Sequence, residues 1–234
     1  MTVYVCMDDT DNLNSRGTGR LARAVAAKLS ENYSVLGVTR HQLYVHPDIP
    51  YTSHNSCGVV HLELSGQEFL GEIFDLVKSE MMDDFIEGSD PGLAVASTEQ
   101  ISPALVAYGK DAKNTVLSQD QARTLARNIG IQLEGLGGTE DGVIGAMAGL
   151  GLASTANDGR FLMIGKIREL TGAQTVQKLI KAGIDGICTL DGHPVTEGTI
   201  FNHQNKSVKP CPVNGKAILY VEKKDGELWA VKRN

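Results

Sequence analysis

The chain has 234 residues with 22 Lys and Arg against 28 Asp and Glu, a formal net charge of −6. A chain of this length buries roughly 70% of the surface its unfolded form exposes, enough for one large domain or two small ones without staples. Its basic residues are dispersed and form no run, which excludes wrapping a nucleic acid by charge alone and leaves open a structured RNA held by a local patch.

Thr2–Met7 predicts a short strand, with Val3, Tyr4 and Val5 at its centre, ending at Asp8. Asp9–Gly19 predicts a loop rich in Asp, Asn, Ser and Gly. From Thr18 to Asn32 the apolar period lengthens: Leu21, Val25 and Leu29, flanked by Ala22 and Ala26, form one helical stripe with Thr18 as N-cap. Strands follow at Ser34–Val45 and Cys57–Leu64, separated by His46-Pro47-Asp48-Ile49-Pro50, whose prolines forbid pairing. Gln67–Met82 and Gln119–Asn128 predict helices, and Leu93–Ala96 a short strand after Asp90-Pro91-Gly92.

The stretch Gly135–Gly151 is glycine-rich, with a helix starting near Asp141 and Val143, Ile144, Met147 and Ala148 on its buried side. Beyond it come a strand at Phe161–Ile164, a helix at Ala173–Ala182 and strands at Gly186–Leu190, Thr199–Asn202, Ala217–Val221 and Leu228–Val231. Strands and helices alternate, so the class is α/β or α+β. Gly135–Gly138 is the expected boundary, giving lobes 1–134 and 135–234.

The four cysteines form no CxxC pair and suggest neither a zinc knuckle nor a disulfide framework. The six histidines make no HxH or HExxH set. Cys57 and Cys211 read as small buried residues, and His193 as a turn residue. No stretch has the length and apolarity of a membrane span, and Met1–Met7 is no signal peptide, so the expected location is the cytoplasm.

Chemistry is expected at Asp8-Asp9-Thr10-Asp11. Three carboxylates at a strand end raise each other's pKa unless a cation compensates, and magnesium with its preference for hard oxygens suits them. The bland alternative is a solvated acidic turn, in which Asp accepts backbone hydrogen bonds. Ser15-Arg16-Gly17-Thr18-Gly19-Arg20 sets glycines, a hydroxyl and two arginines at a helix start, a pattern suited to phosphate though not a Walker A loop. His54 and Asn55 could reach a phosphate. Gly137, Gly138 and Gly142 would bring backbone close to a ligand, facing the acidic loop across an interlobe cleft.

A strand followed by Asp9-Thr10-Asp11 also resembles the DxD motif of haloacid-dehalogenase-like phosphatases. There Asp9 would be the nucleophile and Asp11 the acid, with Asp83-Asp84 as a second acidic motif that falls early in the chain and inside a helix.

Read together with the acidic loop, three further blocks resemble one family. They are Val45–Asn55, Gly142-Val143-Ile144-Gly145-Ala146-Met147-Ala148 and Lys209-Pro210-Cys211-Pro212-Val213, and their order resembles the archaeal agmatinylcytidine synthetases of isoleucine tRNA. The resemblance implies a kinase-like N-terminal lobe and a ferredoxin-like C-terminal lobe. It implies ATP and magnesium as cofactors, handled by Asp8, Asp9, Thr10 and Asp11, with a phosphorylated threonine at or beside Thr18 and Asn55 retained from the Thr-Arg-Gly-Asn segment.

Glu140-Asp141 replaces a basic residue of the family, and the oligonucleotide-binding fold and zinc ribbon that hold tRNA have no counterpart. The expected activity is therefore phosphoryl transfer from ATP to an unidentified nucleoside, amine or RNA, without tight stand-alone tRNA binding. Arg16 and Gly17 would act as phosphate contacts. The rival expectation is a non-catalytic nucleotide-binding or interaction module, which Glu140-Asp141 favours and the acidic triad opposes.

Overall fold

The structure is a computed structural model and describes residues 1–12, 17–50 and 54–233. The chain divides into two compact units, Met1–Thr155 and Ala156–Asn234. The class is mixed α/β with two sheets.

The first unit begins with β1 (Thr2–Asp8), α1 (Thr18–Leu29), β2 (Ser34–Gln42), β3 (Ser56–Glu63), α2 (Leu70–Asp83) and β4 (Gly92–Ser97). It continues with α3 (Pro103–Asp111), α4 (Gln119–Ile129), β5 (Gln132–Gly135) and α5 (Gly142–Ser154). Its strands lie in the order β5-β4-β1-β3-β2. β1 is central, antiparallel to both β3 and β4. The βαββαβ connectivity with β1 and β3 inside is the split βαβ, or ferredoxin-like, arrangement. It spans Thr2–Ser97.

β1 alternates its two faces. Tyr4 and Cys6 join the cluster built around α3, α4 and α5, with Cys57 and Val59 of β3 and Ala94 and Ala96 of β4. Asp8 falls on that same face at the strand's end. α5 is apolar all round and buried over most of its length. Gly142, Gly145 and Gly149 fall at i, i+3 and i+7, so they share one face. A Cβ at Gly149 would overlap the sulfurs of Cys6 and Cys57, and one at Gly142 would overlap the backbone of Asp90 and Gly92. The helix thus seats its backbone directly on the sheet. That packing is why the division falls after Thr155 instead of at Gly135–Gly138.

The second unit holds β6 (Arg160–Met163), β7 (Gln174–Thr175), α6 (Val176–Lys181), β8 (Gly186–Thr189) and β9 (Thr199–Phe201), then β10 (Cys211–Val213), β11 (Lys216–Lys224) and β12 (Glu227–Ala230). Its sheet runs β10-β11-β12-β9-β7, with β8 parallel to β11. Ile187, Ile200, Leu219 and Val221 form its core with Val176 and Leu179 of α6. Among the described residues no helix is long and apolar enough to cross a membrane.

Candidate functional site

A cavity of about 150 Å³ opens at the carboxyl end of β1, entirely within the first unit. Asp8, Asp9, Asp11, Thr18, Asn55 and Gly145 line it together with Asp48, His54, Ser56, Thr115 and Asp141, and Leu43, Ile49, Val116 and Ile144 add apolar wall. The sequence reading places this site in a cleft between lobes. It lies instead inside one unit, because α5 belongs to that unit and brings Asp141 and Gly145 to the end of β1.

The acidic loop owes its geometry to two attachments. Asp9 has a φ of 50°, a left-handed conformation that Asp tolerates better than most residues. Its carbonyl accepts the Asp90 N–H at 3.1 Å, and the Asp90 carbonyl accepts the Gly142 N–H at 2.9 Å. The Asp90 carboxylate accepts the Thr139 N–H. The β1 end, the Asp90 turn and the start of α5 are thereby laced together. A Cβ at Gly145 would overlap the Asp8 carboxylate, so only glycine lets α5 approach this closely.

Burial pushes the Asp8 carboxyl well above the usual range, and Asp9 and Asp11 push the same way. Asp9 is pushed up to about 7, first by burial and then by Asp90, Asp11 and Asp141. Sequence reading names the three acids of the loop and sets Asp141 opposite them at a helix start; it does not name Asp90, which approaches only through the fold. Asp83-Asp84 does not join them: it closes α2, and Asp84 pairs with Arg20 at the surface. The second acidic motif of the phosphatase reading is therefore absent from this cavity.

Thr18 is the first residue of α1, and Gly17, with φ 83°, holds the cap position expected of Thr18. Its hydroxyl is thus free of capping duty. It donates to Asp11 Oδ1 at 3.3 Å and receives a hydrogen bond from Thr10 Oγ1 at 3.1 Å. Thr10 is buried behind this pair and does not line the cavity. Asn55 lines it while donating through Nδ2 to the Tyr44 carbonyl at 2.6 Å. Gly137 and Gly138 face Phe85 and Asp90 and are absent from the cavity wall, and Gly142 supports that wall from behind. Arg16 lies outside the described residues. A cation that sequence reading misses stands near: Arg40, whose burial lowers its pKa while Cys57 and Asp11 work against that fall.

At the start of α5, Asp141 holds the cap position without capping the helix. Its Oδ1 accepts from Gln119 Nε2 at 2.7 Å, and Glu140 pairs with Arg123. Among the described residues no three His, Cys, Asp or Glu side chains converge as a metal cage. The aspartates offer hard oxygens of the kind magnesium takes when it is shared between one or two carboxylates and a substrate phosphate.

No protein-family model and no curated protein matches the chain. Solved structures do. The chain resembles a tRNA fluorescent labeling enzyme at 26% identity and a TM-score of 0.56, over 64% of this chain and 36% of that one. It resembles TiaS in complex with an isoleucine tRNA and ATP at 25% identity and a TM-score of 0.56, over 64% and 36%. Apo TiaS, an agmatidine synthetase of isoleucine tRNA, matches at 24% identity and a TM-score of 0.55, over 64% and 35%. The chain spans about a third of the length of these proteins. The resemblance drawn from the sequence blocks is thus seen again in the fold.

Proposed function

We propose that the cavity at the end of β1 binds ATP with a magnesium ion and serves phosphoryl transfer to a small-molecule or RNA acceptor. The observation that carries this reading is the gathering of Asp8, Asp9, Asp11 and Thr18 on one cavity with Asp9 raised to about 7. A protein keeps so many carboxylates together at a cost that a bound cation removes.

Asp8, Asp9 and Asp11 would hold the divalent cation, which when bound supplies charge neutralisation for a transferred phosphoryl group. The chain's own part is positioning. Thr10 and Asp11 fix the Thr18 hydroxyl at the helix start, where backbone N–H groups favour an anion. Thr18 would contact a phosphate, or would accept the γ-phosphoryl group of ATP on its hydroxyl oxygen while Asp11 takes the hydroxyl proton and ADP leaves. The apolar wall of Leu43, Ile49, Val116 and Ile144 suits the flat face of a nucleobase.

The fold likeness supports the reading: one of the similar structures holds ATP and an isoleucine tRNA. The test is thermal protection. Mg-ATP at 100 times its dissociation constant should stabilise the chain by about 2.7 kcal/mol. No shift at millimolar Mg-ATP, or a shift that survives Asp9→Asn with Asp11→Asn, defeats the assignment. Binding without any turnover would leave the non-catalytic reading, which Asp141 at the α5 start favours.

A further inference from the structure

The second unit carries a different kind of surface. Residues 156–234 hold 12 Lys and Arg against 8 Asp and Glu, a net charge of +4, whereas residues 1–155 hold 10 against 20, a net of −10. The overall negative charge therefore conceals a basic C-terminal third.

The sheet of this unit has one face on its core and one face outward. In β11, Leu219 and Val221 are core, so Lys216, Ile218, Tyr220, Glu222 and Lys224 share the opposite face. Glu222 pairs with Trp229 of β12, and Trp229 with Phe201 of β9, which puts both aromatic rings on that outward face. Phe201 and Trp229 lie 5.4 Å apart with planes tilted by 31°, and the His203 ring stacks on Trp229 at 4.7 Å and 25°. The Arg233 guanidinium sits 4.4 Å over the Tyr220 ring. Phe201, Trp229 and Tyr220 are half-buried, and His203 and Arg233 are exposed. Aromatic rings thus occupy three neighbouring strands, with Lys216 exposed at one end of β11 and Lys224, paired with Glu222 at 2.6 Å, at the other.

We infer that this face is a stacking platform for a short single-stranded RNA segment. Planar rings on a sheet offer every base a stacking partner without reading its edge, and a surround of Lys and Arg tracks the phosphates. A duplex hides its base faces, so it can use the charge and not the rings. His203 and Arg233 cover the Trp229 and Tyr220 rings, as planar groups that extend the platform and on which a base would stack in turn. The charge is modest, so affinity is micromolar and salt-dependent. The inference concerns the second unit alone and stands whether or not the first binds ATP.

Trp229 is the only tryptophan, so its fluorescence reports on the platform directly. The full chain should be titrated with a 12-nucleotide oligoadenylate, with a duplex RNA of equal charge and with heparin. The expected result is quenching of Trp229 by the single strand at micromolar concentration and little quenching by the other two. His203→Ala with Tyr220→Ala should weaken binding about tenfold. Arg233→Ala, at an exposed position, should weaken it several-fold and lower the salt slope by about 0.7. Circular dichroism should show both variants folded, and Arg233→Ala keeps the test decisive if the double variant is not. Equal quenching by heparin or duplex, no quenching by any probe, or unchanged affinity in folded variants overturns the inference.

Discussion

Two helices begin at the acidic cavity, and they begin differently. α1 starts with Gly17 at its cap and Thr18 in its first turn, with no acid in that turn and a hydroxyl tied to Asp11. α5 starts with Asp141, whose carboxylate is held by Gln119 and adds to the charge that raises Asp9. Both helix ends present N–H groups and a positive dipole. Neither helix carries an acid in its first turn, but the cap position holds Asp141 at α5 and Gly17 at α1. Phosphate should therefore be drawn to α1, and the α5 end should resist it.

The largest effect that breaks this comparison is at Gly145. A Cβ there overlaps Asp8 and crowds Leu43, so Gly145→Val must push the first turn of α5 off the strand end. Overpacking of this kind costs typically 1–3 kcal/mol, and the loss should reach the upper end, about 3 kcal/mol. Chemical denaturation should show it, and nucleotide protection should disappear with it. Gly130→Ala, where nothing lies within 4 Å but φ is 69°, should cost less, through backbone strain alone.

Asp9 comes next. Its carboxyl is raised from 3.8 to about 7, so the folded chain holds a proton between those values that the unfolded chain releases. The contribution of Asp9 to stability is full below about pH 4, falls as pH rises toward 7 and is flat above. Asp9→Asn should remove this slope, leaving the variant more stable relative to wild type at pH 8 than at pH 4. Melting temperatures across that range check it. A variant with the wild-type pH profile would show that Asp9 titrates normally. The same substitution should abolish most of the Mg-ATP shift.

Thr18 tests the α1 side alone. Thr18→Ala removes the hydroxyl that links Thr10 to Asp11, at a cost near 1 kcal/mol in stability. If Thr18 touches the transferred group, turnover should fall by at least tenfold while the Mg-ATP melting shift persists. Thr18→Ser should restore it. Equal activity in all three would confine Thr18 to the fold.

Local signals carried much of this in the sequence. The helix at Thr18 was legible from Leu21, Val25 and Leu29, and the strand end at Asp8 from the switch of apolar to acidic residues. α3 is legible too, because Ser102 caps it and Pro103 opens it, a standard start signal. β5 and β10 are not: Gln132-Leu133-Glu134-Gly135 has one apolar side chain, and Cys211-Pro212-Val213 centres on a proline. The site divides the same way. Asp8, Asp9 and Asp11 are adjacent in sequence and were found. Asp90 and Asp141 join them across the antiparallel pairing of β4 with β1 and the seating of α5, a matter of tertiary contact. Gly137, Gly138 and Gly142 pack on Phe85, Asp90 and Gly92, so the side chains they lack make room for protein.

The smallest expected effect is at Asp141, and it separates the two helix starts most sharply. The carboxylate sits at the positive end of α5 without accepting a capping bond from the helix. Its removal therefore costs little through the helix itself. The bond from Gln119 is the main loss, and Asp141→Asn can still accept it. Asp141→Asn should change stability by less than about 1 kcal/mol. It should also let the Asp9 carboxyl fall toward its ordinary range, because Asp141 is one of the three charges that raise it. Carboxyl titration by NMR reads that fall. Asp141→Arg goes further and puts a cation where the dipole already favours an anion. A charge at a helix end is worth about 0.3–1 kcal/mol, so nucleotide should bind roughly two- to fivefold more tightly. If Asp141→Arg leaves nucleotide affinity unchanged while the Asp9 carboxyl falls, the α5 end shapes the acidic cluster but lies beyond reach of the phosphates. If neither moves, Asp141 is electrostatically separate from Asp9, and the contrast between the two helix starts carries no functional weight.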